Sequence, residues 1–455
     1  MKIAFIAAIP MDRLAGDHRV AQTMSLPLGP LYVASSLQSI EKDHEIRFFN
    51  PGGEMRAFGP DVVAVSAVSQ NFNEAIRIAH NVKQWGDVVT VIGGPHITAL
   101  PETLPKSFDY GVVGEGEKTF IELIRYLKKR GQSHSFKPEN INGLVYHEGD
   151  KNVINPAREE VSPMDVLSFP DRHTWAARLG VAHIMTSRGC PFHCSFCSEP
   201  VLWKKYRTHS VDYVIREIRD IQRHFNPPHL LIADDLFIVD KKRLITMAER
   251  FEATGLNQEM AFSAWGRVNL VDEEMMDILR RMNLIYMAFG IESGSESVLK
   301  NLKPGVTSAM DQRAIDLCYD AGIKVGCTFI IASPEETTED LERTYKFIKR
   351  NMNKMTGIEI NPCIPLPGTP LWEWAFRKKL VSLDMNWDQL KDYSVFTHFD
   401  PKAYIVLNPH FHEKKYQDFF HKLSELYREY LERPDMRELI LSYWNPRSET
   451  MAFRS

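Results

Sequence analysis

A chain of 455 residues is long enough for two or three domains, each with a sizeable core, and 44% hydrophobic with 25% charged side chains is the composition of an ordinary globular protein. The formal net charge of −4 offers no basic excess for nucleic acid, and no apolar run approaches the roughly eighteen residues of a membrane span. Three of the six cysteines fall in one short segment, while Cys318, Cys327 and Cys363 stand singly in apolar surroundings, a usage that points to a reducing, cytoplasmic setting.

Met1 to Pro10 is apolar but runs into Asp12-Arg13 without a small-residue cleavage site, so it reads as a buried first strand, not a signal peptide. A helix is expected from Gly29 to Ile40, then strands at Glu45 to Asn50 and Asp61 to Ser66. Between those strands Pro51-Gly52-Gly53 and Gly59-Pro60 leave room only for a loop. Asn73 to Gln84 reads as an amphipathic helix, Val88 to Ile92 and Tyr110 to Val113 as strands, and Lys118 to Lys129 as a helix. Strands alternating with helices imply a doubly wound parallel sheet with ligands at the carboxyl ends of its strands. Glycine-rich turns follow those strands, where backbone can approach a bulky ligand.

Residues 140–182 read as a small hairpin (Gly143 to Tyr146 with Asn152 to Ile154) and a linker punctuated by Pro156, Pro163 and Pro170. Beta-alpha units then recur: strands near 183–186, 229–233, 260–264, 285–289, 324–331 and 357–361 alternate with helices near 210–223, 241–253, 272–282, 308–321 and 337–350. After about residue 378 aromatic residues dominate. Trp387, Tyr393, Phe396, Phe399 and Tyr404, then Tyr416, Phe419, Phe420, Leu423, Leu426, Tyr427 and Tyr430 at helical spacing, suggest a helical cap whose stripe is core packing or, alternatively, the wall of an apolar substrate cavity.

The chemistry is concentrated in Thr186-Ser187-Arg188-Gly189-Cys190-Pro191-Phe192-His193-Cys194-Ser195-Phe196-Cys197-Ser198. Three thiolates on one loop can hold one face of an iron-sulfur cube, whose fourth iron then stays open to an external chelating ligand. A structural zinc site is the alternative. It wants a fourth Cys or His, and His193 is the sole local candidate, with no second cysteine pair in the chain.

With Phe196 just before the last cysteine, this segment resembles the motif of the radical S-adenosylmethionine (SAM) family. Leu26-Pro27-Leu28-Gly29-Pro30-Leu31-Tyr32, Gly93-Gly94-Pro95-His96 and Val113-Gly114-Glu115-Gly116-Glu117, in that order ahead of the triplet, resemble the cobalamin-binding domain of cobalamin-dependent radical SAM enzymes. The resemblance implies an α/β fold: a cobalamin-binding type domain over 1–139, a hairpin and linker over 140–182, a partial (β/α)6 barrel over 183–378 and a mostly helical carboxyl-terminal region over 379–455. It implies a 4Fe-4S cluster on Cys190, Cys194 and Cys197, and SAM held among Phe196, Asp234, Asp235, Ser263, Arg267, Glu292, Ser293 and Lys303. Cobalamin would lie among Leu28, Gly29, Ser66, Ser69, Gly93, Gly94, Pro95, His96, Gly114 and Glu115. Asp17-His18 lack the spacing by which some cobalamin domains supply a histidine to cobalt, so the precedent is a cobalt with no protein histidine beneath it. The same fold without the cofactor is the alternative.

In function, the resemblance implies reductive cleavage of SAM to a 5'-deoxyadenosyl radical, hydrogen abstraction from an unactivated carbon and cobalamin-dependent C-methylation. The alternatives are cyclisation, ring contraction or carbon-skeleton rearrangement, and a non-catalytic iron-sulfur or cobalamin sensor. A methylthiotransferase would need a cysteine triplet in its first domain, and residues 1–182 contain no cysteine. Expected partners are a small-molecule, lipid or peptide substrate and an electron donor such as flavodoxin or ferredoxin. No general base stands out; Tyr206, Tyr286 and Cys327 are conceivable hydrogen donors.

Overall fold

The structure, a computed structural model, describes residues 1–8, 27–50, 54–129, 137–173, 182–390 and 404–432. Its first sheet contains β1 (Lys2–Ala7), β2 (Glu45–Phe49), β3 (Val62–Ser66), β4 (Val89–Gly93), β5 (Tyr110–Val112), β6 (Leu144–Glu148) and β7 (Lys151–Ile154), ordered 2-1-3-4-5-6-7. The first five are parallel. Their unbroken apolar runs follow from burial on both faces. Ile3 and Phe5 pack under the helices Leu28–Ile40 and Gly116–Lys129, whereas Ala4 and Ile6 pack toward the helix Phe72–Lys83. The strand order reverses between β1 and β3, which opens a crevice at the carboxyl ends of the strands.

Two readings change here. The contracted segment before β3 is not all loop: Met55–Phe58 makes one helical turn, ended by Gly59 at φ 63°, because Met55 and Phe58 bury their side chains on the sheet. The hairpin is part of the first sheet, since β6 pairs antiparallel with β5, and β7 with β6.

The second sheet is all parallel and open: β8 (Ala182–Ile184), β9 (His229–Ile232), β10 (Ala261–Gly266), β11 (Leu284–Glu292), β12 (Lys324–Ile331) and β13 (Met355–Pro362) lie in chain order. Helices connect these strands and share one large core with them. This is the partial (β/α)6 barrel, with six strand ends on a common rim. The aromatic stripe is packing. Tyr416, Phe419, Leu423 and Tyr430 of the helix Glu413–Leu431 belong to the barrel core, and Trp387 stacks on Trp372 and meets Phe72 and His96 edge-on. Tyr393, Phe396 and Phe399 lie outside the described residues, as does the side chain of Tyr427. Among the described residues no helix is long and apolar enough to cross a membrane.

Candidate active site

The cysteine loop begins where β8 ends. Ser187–Arg188 pairs antiparallel with Arg207–Thr208, which closes residues 189–206 into a loop on the barrel rim. Gly189 sits at φ 87°, and a Cβ there would come within 2.6 Å of the Lys205 carbonyl, so only glycine allows this closure. Farther along, Ser195 donates its N–H to the Leu302 carbonyl and accepts from Leu371 N, both at 2.9 Å. A Gly189→Ala variant is therefore expected to fold and yet take up less than about a tenth of the iron, read by metal analysis after anaerobic reconstitution, because the left-handed strain and backbone clash fall on the loop alone.

Cys190, Cys194 and Cys197 are all partly exposed. Burial raises the Cys190 thiol and pushes Cys197 up to about 12, so these groups ionise only when a metal replaces their protons. A single zinc would draw its sulfurs to roughly 3.8 Å from one another, given a Zn–S bond of about 2.3 Å. Among the described residues the one trio with ligand atoms all within 4.8 Å of one another is Glu41, Asp43 and His44, so at least one pair of the cysteine sulfurs stands farther apart than that. The wider spacing suits a cluster.

Around the loop, the strand-end residues take several roles. Arg267, following β10, donates Nη1 to Cys194 Sγ at 3.1 Å and Nη2 to the Pro304 carbonyl at 3.1 Å, and its guanidinium lies over Phe192. A positive hydrogen-bond donor on a cluster sulfur stabilises the reduced cluster. Arg267→Met is expected to shift the cluster's midpoint potential negative, measured by redox titration with EPR detection.

Asp234 accepts from the Thr186 and Ser187 hydroxyls at 2.6 Å and from Thr186 N. Asp235 accepts from Gly189 N at 2.7 Å. Burial first, then neighbouring Glu199, pushes the Asp235 carboxyl up to about 8. These aspartates, read from sequence as SAM contacts, hold the cysteine loop. Ser293 is likewise engaged, with its hydroxyl 2.9 Å from Thr344 Oγ1 and accepting from Ser295 N. Phe196 packs against the apolar cluster shared by the two domains, and Ser263 is buried on β10.

The remaining SAM candidates form one polar cluster inside the rim. Lys303 donates to the Gly290 carbonyl and to Glu292 Oε1 at 3.3 Å. Glu292 sits at φ 64°, a costly conformation for a non-glycine residue and a frequent mark of a ligand site. Asp311 is fully buried, and among the described residues no group bonds either carboxylate oxygen. Burial pushes its carboxyl up to about 8, against the opposing pull of Lys303. The folded chain thus holds this proton after the unfolded chain, near its ordinary 3.8, has released it. Stability falls as pH rises from about 4 to about 8. Thermal melts of Asp311→Asn across that range should show a flatter profile than the parent chain.

A cavity of about 350 Å³ lies over the carboxyl ends of the first sheet. Gly29, Ser66, Gly93, Gly94, Pro95, Gly114 and Glu115 line it, together with Tyr32, Glu117 and Phe120, and the barrel supplies Met185, Arg188, Leu202 and Trp203. A Cβ at Gly29 or at Gly114 would meet no protein atom within 4 Å, so both face open volume. Gly94 differs: a Cβ there would clash with the Ala67 carbonyl at 2.7 Å, so it serves the turn. Leu28, Ser69 and His96, expected at cobalamin, do not line the cavity. Leu28 packs with Leu31 and Val161, while His96 is fully buried against Phe72, with Nδ1 at Ser69 Oγ (3.0 Å) and Nε2 at Thr103 Oγ1 (3.2 Å). Burial pushes His96 down to about 3. The described residues lining the cavity include no histidine, and the glycine-walled crevice fits a bulky planar cofactor with no protein imidazole on its metal.

Sequence reasoning missed Tyr32, Glu117, Arg188 and Trp203. A charged residue directly before Gly189-Cys190 and the second glutamate of Gly114-Glu115-Gly116-Glu117 were the available signals.

Comparison with known proteins matches residues 52–124 to the B12 binding domain and residues 184–348 to the radical SAM superfamily. The chain is 31% identical over 409 residues to an uncharacterized methyltransferase of Pyrococcus horikoshii, covering 85% of this chain and 86% of that one. It is 29% identical over 303 residues to the anaerobic magnesium-protoporphyrin IX monomethyl ester cyclase of Rubrivivax gelatinosus, covering 64% and 54%. In fold it resembles the radical SAM methyltransferase TsrM from Kitasatospora setae, with cobalamin and a [4Fe-4S] cluster bound (TM-score 0.67, 17% identity, 83% of this chain and 75% of that one). It also resembles the cobalamin-dependent radical enzyme OxsB with aqua-cobalamin bound (TM-score 0.63, 20% identity, 93% and 61%).

Proposed function

Because the chain belongs to the cobalamin-dependent radical SAM family, and is an enzyme with a 4Fe-4S cluster, SAM and cobalamin as its cofactors, we propose that it methylates an unactivated carbon of a small-molecule substrate at the seam between its two domains. When bound, the cluster with SAM supplies a hydrogen-abstracting radical and cobalamin supplies the methyl group. The observation that carries the reading is the cavity whose floor is the first sheet and whose roof, at Met185, Arg188, Leu202 and Trp203, flanks the cysteine loop. Two cofactor sites facing one seam suit hydrogen removal and methyl delivery at the same carbon.

The chain's own residues divide the remaining work. Asp234 and Asp235 hold the loop through Thr186, Ser187 and Gly189, and Arg267 donates to Cys194 Sγ. Glu292 and Lys303 offer an acceptor and a cation at the rim, suited to ribose hydroxyls and to SAM's carboxylate. Phe5, Phe120 and Trp203 around the cavity exclude water. A cytoplasmic flavodoxin or ferredoxin is the proposed electron source.

The test is anaerobic reconstitution with iron, sulfide and hydroxocobalamin, followed by metal analysis of one gel-filtration fraction and incubation of candidate substrates with methyl-labelled SAM. About four irons and about one cobalt per chain, with label on a product carbon, is the expected result. Iron without cobalt would sink it. A product formed without label would favour the cyclisation reading, which rests on the likeness to the Rubrivivax cyclase.

A further inference from the structure

The two residues that close the cysteine loop are both arginines. Arg188 and Arg207 are direct cross-strand partners, and like charges opposed on a ladder repel unless an anion lies between them. The anion comes from the other domain. Glu115 Oε1 accepts from Arg188 Nη1 at 2.6 Å and from Arg207 Nη2 at 3.0 Å, its Oε2 accepts from Arg207 Nη1 at 3.1 Å, and Glu117 Oε1 accepts from Arg188 Nη2 at 2.6 Å. None of the four side chains is more than 9% exposed. Glu160 Oε2 stands 3.4 Å from Arg207 Nε as a third, less buried anion, so Arg207 keeps a partner when Glu115 or Glu117 is neutralised, whereas among the described residues Arg188 is paired by Glu115 and Glu117.

The same groups touch the cavity. Glu115, Glu117 and Arg188 line it, and Arg188 lies over the rings of Tyr32 and Trp203, which line it too. Residues 114–117 therefore meet whatever fills the cavity on one side and the base of the cysteine loop on the other.

We propose that Glu115 and Glu117, acting through Arg188 and Arg207, are positioning residues that make the two cofactor sites mutually dependent. A corrin seated against residues 114–117 holds the cysteine loop closed, and a formed cluster holds residues 114–117 in shape for the corrin. The inference rests on the reading of the cavity as the cobalamin site. Linkage makes the coupling reciprocal, so it is readable from either cofactor.

Iron extraction by a strong chelator, timed on the anaerobically reconstituted full-length protein with and without hydroxocobalamin, measures it. In the parent protein cobalamin is expected to slow iron loss by about tenfold. Glu117→Gln keeps Glu115 between the arginines, so the loop still closes, and the slowing is expected to shrink to about twofold while iron and cobalt still load. Glu115→Gln leaves the arginines facing one another and is expected to lose iron fast whether or not cobalamin is present. A merely structural role for the bridge lowers loading in Glu117→Gln but leaves the ratio of the two extraction rates at the parent value, which overturns the inference. A parent protein that binds cobalt yet shows no slowing also overturns it. A parent protein that takes up iron and no cobalt overturns the cobalamin reading itself.

Discussion

Gly29→Leu is expected to abolish cobalamin binding without harming the fold. Gly29 is the second residue of the helix Leu28–Ile40 and lines the cavity, and a Cβ placed there meets nothing within 4 Å. Its φ lies outside the left-handed region, so a side chain enters without backbone strain. Leucine is a better helix former than glycine by about 0.5–1 kcal/mol, and the melting temperature should hold or rise. A leucine side chain, however, projects into the volume a rigid corrin must fill, and a rigid ligand cannot bend around it. Cobalt per chain after reconstitution should fall at least about tenfold, the equivalent of some 1.4 kcal/mol of lost affinity, while iron stays at the parent level. Gly29→Ala, adding only one methyl to open space, should remain near the parent value. Full cobalt loading of the leucine variant would place the cofactor somewhere other than this cavity.

The same glycine shows how far the sequence could be read. Buried β runs alternating with helical segments mark the parallel strands of both sheets in order, because period and burial are local properties. The glycine turns also mark the rim where the cavity lies, since Gly29, Gly93, Gly94 and Gly114 all line it. What each polar residue does there was not local. Asp234 looks like a free strand-end carboxylate until the fold puts Thr186 and Ser187 against it, 48 and 47 residues away in the chain. His96 sits in the right turn but points into the core formed by Phe72 and Trp387, a residue nearly three hundred positions later. Glu115 and Arg188 are 73 residues apart, and neither side chain announces its partner. Segment type follows from near neighbours along the chain; the hydrogen-bond partner of a buried charge follows from tertiary packing. That is why the elements were legible and the partners of Asp234, Ser293 and His96 were not.

Cys197→Ala is expected to remove both the cluster and the activity, whereas Cys363→Ala keeps both. Both thiols, Cys197 partly exposed and Cys363 buried, are raised by desolvation, so a response based on their titration alone would treat them alike. They differ in company. Cys197 donates its backbone N–H to the Cys194 carbonyl at 3.2 Å, which closes a tight turn with that cysteine, while Cys363 follows β13 and packs with Leu371 and Trp372. An alanine at 197 removes one of three ligands from a cluster already short of a fourth, and a cube on two thiolates does not persist. Iron should drop to background and SAM cleavage to the uncatalysed level, a loss of at least about 10⁴-fold given the barriers such chemistry carries. The cofactor-free chain should melt within a few degrees of its parent, since a half-exposed thiol gives up little packing. An alanine at 363 does the reverse, opening a small cavity that lowers the melting temperature by a few degrees and leaves iron intact. Proton release separates ligand from bystander a second way. Cluster assembly on the loop should free protons in the Cys363→Ala protein as in the parent, and far fewer in the Cys197→Ala protein, as read by a pH indicator during anaerobic titration. Equal proton release from the two variants would mean that Cys197 is no ligand, and the three-cysteine reading of the loop would fall with it.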